Sequence, residues 1–125
     1  MSKYAFLFID DGVDYQGAPT PEQQKVYADI FKWFETNSDK ITDGGAELQP
    51  TRTATTIRHR GGKATVLDGP FLEAKESVGG FTIFELPNKE AAVALAKTWP
   101  GYGIEIRQIV EQRDPQQMPV GLADR

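Results

Sequence analysis

Asp68-Gly69-Pro70-Phe71, followed closely by Glu73, Lys75 and Glu76, concentrates reactive side chains and turn formers in one short stretch. Carboxylates beside an ammonium group suit proton abstraction from a small molecule, with the cation stabilising a developing oxyanion. In an extended segment Glu73 and Lys75 share a face, and Glu76 points the other way. The plain alternative is an exposed ion pair, contributing about 0–1 kcal/mol. Asp68-Gly69-Pro70 also has a purely structural explanation. Proline fixes its own φ and restricts the residue before it, and glycine accepts the unusual angles that result. Asp68 can close such a turn by accepting a backbone N–H two residues on. A carboxylate held by backbone donors is a poor base, so the turn competes with a role for Asp68 as proton acceptor or ligand anchor.

Gly79-Gly80 before Phe81 suits a bulge or a close backbone approach. No helix start follows it, which removes the donors of a phosphate cradle. Arg58, His59 and Arg60 form a basic cluster at a hairpin end, where a solvated tip is the plain reading. His59 is the single histidine and cysteine is absent, so no thiolate or imidazole partner exists for a metal. Asp10, Asp11 and Asp14 lack the spacing of a calcium loop and read as a turn. Glu105 and Arg107 lie two apart on one strand and pair along its face. Trp99 and Tyr102 read as packing or interface residues.

These groups need a scaffold. Lys3 to Ile9 alternates two apolar sets, Tyr4/Phe6/Phe8 and Ala5/Leu7/Ile9, as a strand covered on both faces does. Thr20-Pro21-Glu22-Gln23 is a helix start: threonine cap, proline at the first helical position, glutamine three residues after the cap. It opens a helix over 21–37 whose expected apolar stripe is Val26, Ile30, Phe31 and Phe34. Ala46–Leu48 is a brief strand. Thr53–His59 and Lys63–Leu67 form a hairpin about Gly61-Gly62, and Gly80–Leu86 is a strong strand. Asn88 caps a second helix with Ala91, Ala92, Leu95, Ala96 and Trp99 on one side. Gly103–Val110 is the last strand. The order predicts an α+β, ferredoxin-like βαββαβ domain with an antiparallel sheet and one extra short strand over residues 1–111, and a tail over 112–125. Two helices cover only one sheet face. The second apolar face predicts a homodimer through the sheet faces.

At 125 residues the chain fits one domain, large enough for a core without staples. The net charge of −4 disfavours direct binding to nucleic acid. The six-residue apolar run Tyr4–Ile9 is shorter than a leader's apolar core (about 7–15 residues) or a membrane span (about 20). A soluble protein in a reducing, cytoplasmic setting is expected, with no membrane contact and no cofactor.

Thr53-Ala54-Thr55-Thr56-Ile57-Arg58, Asp68-Gly69-Pro70-Phe71, Glu73, Lys75-Glu76, Gly79-Gly80-Phe81 and Gly103-Ile104-Glu105-Ile106-Arg107 together resemble the DGPF branch of the YCII-related proteins, from about Lys3 to Val110. The resemblance implies a bacterial cytoplasmic domain that dimerises as an α+β barrel, with a cleft near the dimer interface. Asp68, Glu73 and Lys75 are then the expected catalytic set. Arg58, Gly69, Pro70, Phe71, Glu76, Gly80 and Phe81 are the expected ligand-binding set, and no metal is implied. YCII proteins proper pair a histidine at the start of the first helix with an aspartate after the second. Here those places read Pro21-Glu22-Gln23-Gln24 and Thr98-Trp99-Pro100, so the dyad does not carry over. Three readings stand: a small-molecule binder, acting as a cofactor-free isomerase or lyase if it is an enzyme; an accessory of transcription initiation that contacts an extracytoplasmic-function sigma factor; and a dimer that sequesters a metabolite.

Overall fold

The computed structural model describes residues 1–13, 17–69 and 76–111. In chain order they form β1 (Ser2–Asp10), α1 (Pro21–Thr36), β2 (Ile41–Glu47), β3 (Thr55–Arg60), β4 (Lys63–Asp68), β5 (Ser77–Leu86), α2 (Lys89–Ala96) and β6 (Gly103–Gln108). Four strands make one sheet in the order β2-β5-β1-β6, and β3 and β4 pair as a separate two-stranded ribbon. All sheet neighbours are antiparallel. It follows that β1 and β2 run parallel with β5 between them, and β5 and β6 run parallel with β1 between them. Each parallel pair is bridged by a helix, the split β-α-β arrangement.

The helices start where the local chemistry directs. The Thr20 hydroxyl accepts from Gln23 N (3.2 Å) while Gln23 Oε1 accepts from Thr20 N (2.9 Å), a complete capping box. Asn88 Oδ1 accepts from Ala91 N at the head of α2 (2.9 Å). Both helices lie on one sheet face, where Tyr4, Phe6, Phe84 and Leu86 meet Trp33 and Ala92. Phe8, Trp33, Phe34 and Trp99 extend this core as an aromatic box, with Phe8 and Trp99 ring centres 4.5 Å apart. The Trp33 indole N–H donates to the Thr98 hydroxyl (2.8 Å), tying the end of α1 to the end of α2.

Three expectations change. The dimeric α+β barrel is overturned: the four-stranded sheet stays open among the described residues, its margins β2 and β6 lack outer neighbours, and nothing in the structure speaks for the dimer that closure required. The hairpin, counted in advance with the sheet, stands outside it, and the strand read as the short extra one is the sheet margin β2. Its two register irregularities against β5 made it hard to read as a strand. In α1 the expected stripe is half right. Ile30 and Phe34 are half-buried, Val26 and Phe31 are exposed, and the fully buried positions are Trp33 and Asn37. The bulky indole reaches the core, and Asn37 is satisfied inside it by donating its amide to Trp33 O (2.8 Å).

The sheet's other face is apolar as well. The registers Ala5↔Ile83 and Leu7↔Phe81 align four half-buried side chains across its centre. Arg107 and Glu105 continue those rows on β6. Their 3.4 Å contact is exposed and contributes about 0–1 kcal/mol.

Candidate functional site

The site builds from the end of the sheet where β1 stops and β5 and β6 begin. Asp10 and Ser77 are register partners, and the Ser77 hydroxyl donates to Asp10 Oδ1 (2.5 Å). The same carboxylate oxygen accepts from Gly12 N (2.9 Å), which folds the chain back after β1. The pairing skips from Phe8↔Gly80 to Ile9↔Val78, so Gly79 is the extra residue of a bulge. A Cβ at Gly79 would lie 2.9 Å from Asp10 Oδ2, so only glycine leaves the carboxylate its place. Gly80 is buried for a related reason: its missing Cβ admits Ala46 O of β2 to 2.8 Å from where that carbon would sit.

Tyr102 immediately precedes β6, whose first residue Gly103 pairs with Ile9 at the end of β1. Tyr102 is exposed. Hydrogen bonding to Glu76, the negative charge of Glu76, slight desolvation and the charge of Asp11 push its phenol above the ordinary 10.0. Tyr102 therefore stays a protonated donor at neutral pH, facing carboxylates that accept. The raised value favours the folded state below the ordinary pKa, and this contribution is lost as pH rises through the folded value. Glu76→Gln removes the charge, so the Tyr102 phenol should titrate closer to 10.0; ultraviolet difference titration against Tyr102→Phe isolates its signal. An unmoved transition would mean that Glu76 does not set it.

The structure distributes the expected residues unevenly. Asp68 is the last residue of β4, opposite Thr55, and is exposed. Pro70 carries no N–H, so the backbone bond expected two residues on cannot form. Gly69 supplies the turn, with φ +103°, its N–H donated to Ala54 O (2.5 Å) and its carbonyl accepting from the Thr56 hydroxyl (3.1 Å). Arg58 is half-buried opposite Thr65, on the other face of the ribbon from Asp68, so the two are not brought together there. Phe81 is half-buried on the open sheet face, while Gly80 lies on the helix side. Glu76 joins Tyr102 at the corner. Pro70, Phe71, Glu73 and Lys75 lie outside the described residues, as do Asp14 and the tail.

Sequence reasoning did not single out Ser77, and it read Tyr102 as a packing or interface residue and Asp10 as a turn former. Strand register was the signal, because the end of β1 must face the starts of β5 and β6. The open hollows lie elsewhere. One of about 620 Å³ is lined by Lys3, Ile109, Val110 and Glu111, and one of about 270 Å³ by Tyr4, Lys89, Ile106, Arg107 and Gln108. Both are open depressions at the opposite end of the sheet. The candidate corner brings the Asp10–Ser77 pair together at the end of the sheet from which Glu76 and Tyr102 enter β5 and β6. No group of three metal-ligating side chains occurs among the described residues, and no described helix is long and apolar enough to cross a membrane.

The model of the YCII-related domain matches residues 3–113. The chain belongs to the YCII-related family. The match carries no transcription-initiation role, and that expected label is withdrawn along with the barrel. The YCII-related chain is also similar to a Rhizobium meliloti (strain 1021) protein named "Uncharacterized protein R00369", with 40% identity over 52 residues. That alignment spans 42% of this chain and 42% of the relative.

Proposed function

We propose that this YCII-related domain is a member of the DGPF branch that binds a small polar molecule at the corner formed by Asp10, Glu76, Ser77 and Tyr102. The observation that carries the reading is the Ser77 hydroxyl donating to Asp10 Oδ1 at the end of the sheet, with Glu76 next to Ser77 in the chain and acting on the exposed Tyr102 phenol. The described groups are mostly acceptors, so they favour a ligand rich in hydroxyl or amino donors. Asp68, Glu73 and Lys75 extend the proposal to proton transfer: a carboxylate takes the proton while the ammonium group stabilises the oxyanion. In this reading the working domain is 1–111, and 112–125 is an appended tail. It acts as a homodimer, in which a second copy covers the half-buried Ala5, Leu7, Phe81 and Ile83.

The test is ligand-observed NMR with a panel of polyols, amino sugars, simple amines and hydroxy acids, followed by titration of each hit. Tyr102→Phe and Glu76→Gln should each weaken a hit by about tenfold, the order expected for loss of one hydrogen bond to the ligand. Their unliganded melting temperatures should match wild type, because both residues are exposed. Undiminished binding in both variants would overturn this placement of the site.

A further inference from the structure

We infer that the hollow at the head of α2 binds the carboxylate of a small organic acid. It lies at the opposite end of the sheet from the corner proposed above and depends neither on that site nor on a second copy of the chain.

The hollow measures about 270 Å³ and is lined by Tyr4, Lys89, Ile106, Arg107 and Gln108. The registers Tyr4↔Gln108 and Phe6↔Ile106 put Tyr4, Ile106 and Gln108 on the helix-facing side of the sheet. Lys89 opens α2 directly after its Asn88 cap. A helix head, a sheet margin and a buried phenol therefore meet in one place.

Tyr4 is the residue that points to a ligand. It is 4% exposed, and its hydroxyl makes no hydrogen bond among the described residues. The hydroxyl is not sealed in either: among the described residues, the fully buried side-chain polar atom left without a partner is Trp99 Nε1. The Tyr4 oxygen thus keeps access to the hollow that its residue lines. A polar atom buried on every other side takes its partner from there.

Charge selects the kind of ligand. Lys89 makes no ion pair among the described residues. At the head of α2 the Asn88 side chain accepts from Ala91 N and the Asn88 carbonyl from Ala92 N. The N–H groups of Lys89 and Glu90 find no acceptor among the described residues, which leaves the positive end of the helix dipole at the margin of the hollow. Gln108 adds a side-chain amide. Arg107 is not counted as a ligand group, because alternation turns it to the open sheet face, where its guanidinium lies 3.4 Å from Glu105. No acidic residue lines the hollow, and Glu90 of the same helical turn is not part of its wall. One ammonium group with neutral donors balances a single negative charge, and a two-oxygen carboxylate can meet Lys89 and the Tyr4 hydroxyl together. A phosphate dianion would call for a second cation. Ile106 and the Tyr4 ring give an organic remainder an apolar wall.

Benzoate, butyrate and inorganic phosphate are titrated separately into the nitrogen-15-labelled full chain. Benzoate or butyrate should give saturable shifts at the amides of Lys89, Glu90, Ile106 and Gln108. Benzyl alcohol, an uncharged aromatic of similar size, should give none. Tyr4→Phe and Lys89→Gln should each weaken the carboxylate by about tenfold. Tyr4→Phe should leave the unliganded Tm unchanged, since it removes a hydroxyl that has no partner. Absence of a saturable shift with either carboxylate, or saturation by phosphate alone, overturns the carboxylate assignment. Shifts centred on Ser77 and Tyr102 instead, or binding undiminished in both variants, overturn the placement at α2.

Discussion

Phe84→Ala lowers folding stability by about 3–5 kcal/mol, the range for removing a large aromatic ring from a close-packed core. Phe84 is fully buried on the middle of the helix-facing sheet surface. Its ring centre lies 4.5 Å from that of Phe6 and 5.6 Å from that of Trp33. The cavity would open between β1, β5 and α1, beside Phe6 and Trp33. Thermal unfolding should show a fall in Tm of roughly 15 °C, at about 4 °C per kcal/mol for a chain between the small and mid-sized domains. The paired control is Phe31→Ala. Phe31 is 73% exposed, so its truncation should change stability by no more than about 0.5 kcal/mol. Equal losses in both variants would show that α1 packs through the stripe expected from spacing and not through Trp33.

The second large effect is at Gly45. Its φ of +67° lies in the left-handed region, and a Cβ there would fall 1.8 Å from Phe81 O and 2.6 Å from Phe81 C. These are backbone atoms of the neighbouring strand and cannot swing aside. Gly45→Ala must therefore push β2 away from β5, at roughly 2–4 kcal/mol for backbone strain and overpacking together. The adjacent Gly44 has open space around its Cβ position and no positive φ, so Gly44→Ala should be close to neutral. Urea unfolding of the two variants reads the contrast directly. A Gly45→Ala protein as stable as wild type would mean that β2 is not seated on β5 in this register. The detached edge would also release the Thr82 hydroxyl, which donates to Gly44 O (3.0 Å).

Much of the scaffold was legible because local chemistry and periodicity agreed. The capping box at Thr20, the cap at Asn88, the Gly61-Gly62 turn and the alternation in β1 and β5 each have a short-range cause. The helix face of α2 was legible too, since Ala91, Ala92, Leu95 and Ala96 leave one side to bury. Long-range placement was not. Whether the hairpin joins the sheet depends on edge pairing, which alternation cannot specify. The buried side of α1 depends on one indole finding Thr98, sixty-five residues away in sequence. At the site, the types and spacing around Asp68 drew attention to the segment. The Tyr102–Glu76 and Asp10–Ser77 contacts arise only from strand register, which no single stretch of text encodes.

The irregular pairing of β2 has a further consequence. A straight, unobstructed strand at a sheet margin is a template on which identical chains stack into fibrils. In β2 the register breaks twice within seven residues, and the twin glycines there strip side chains from its middle. An incoming strand meets no continuous ladder of donors and acceptors on that side. The same distortion that hid β2 from sequence patterning thus guards the protein against amyloid growth from that margin.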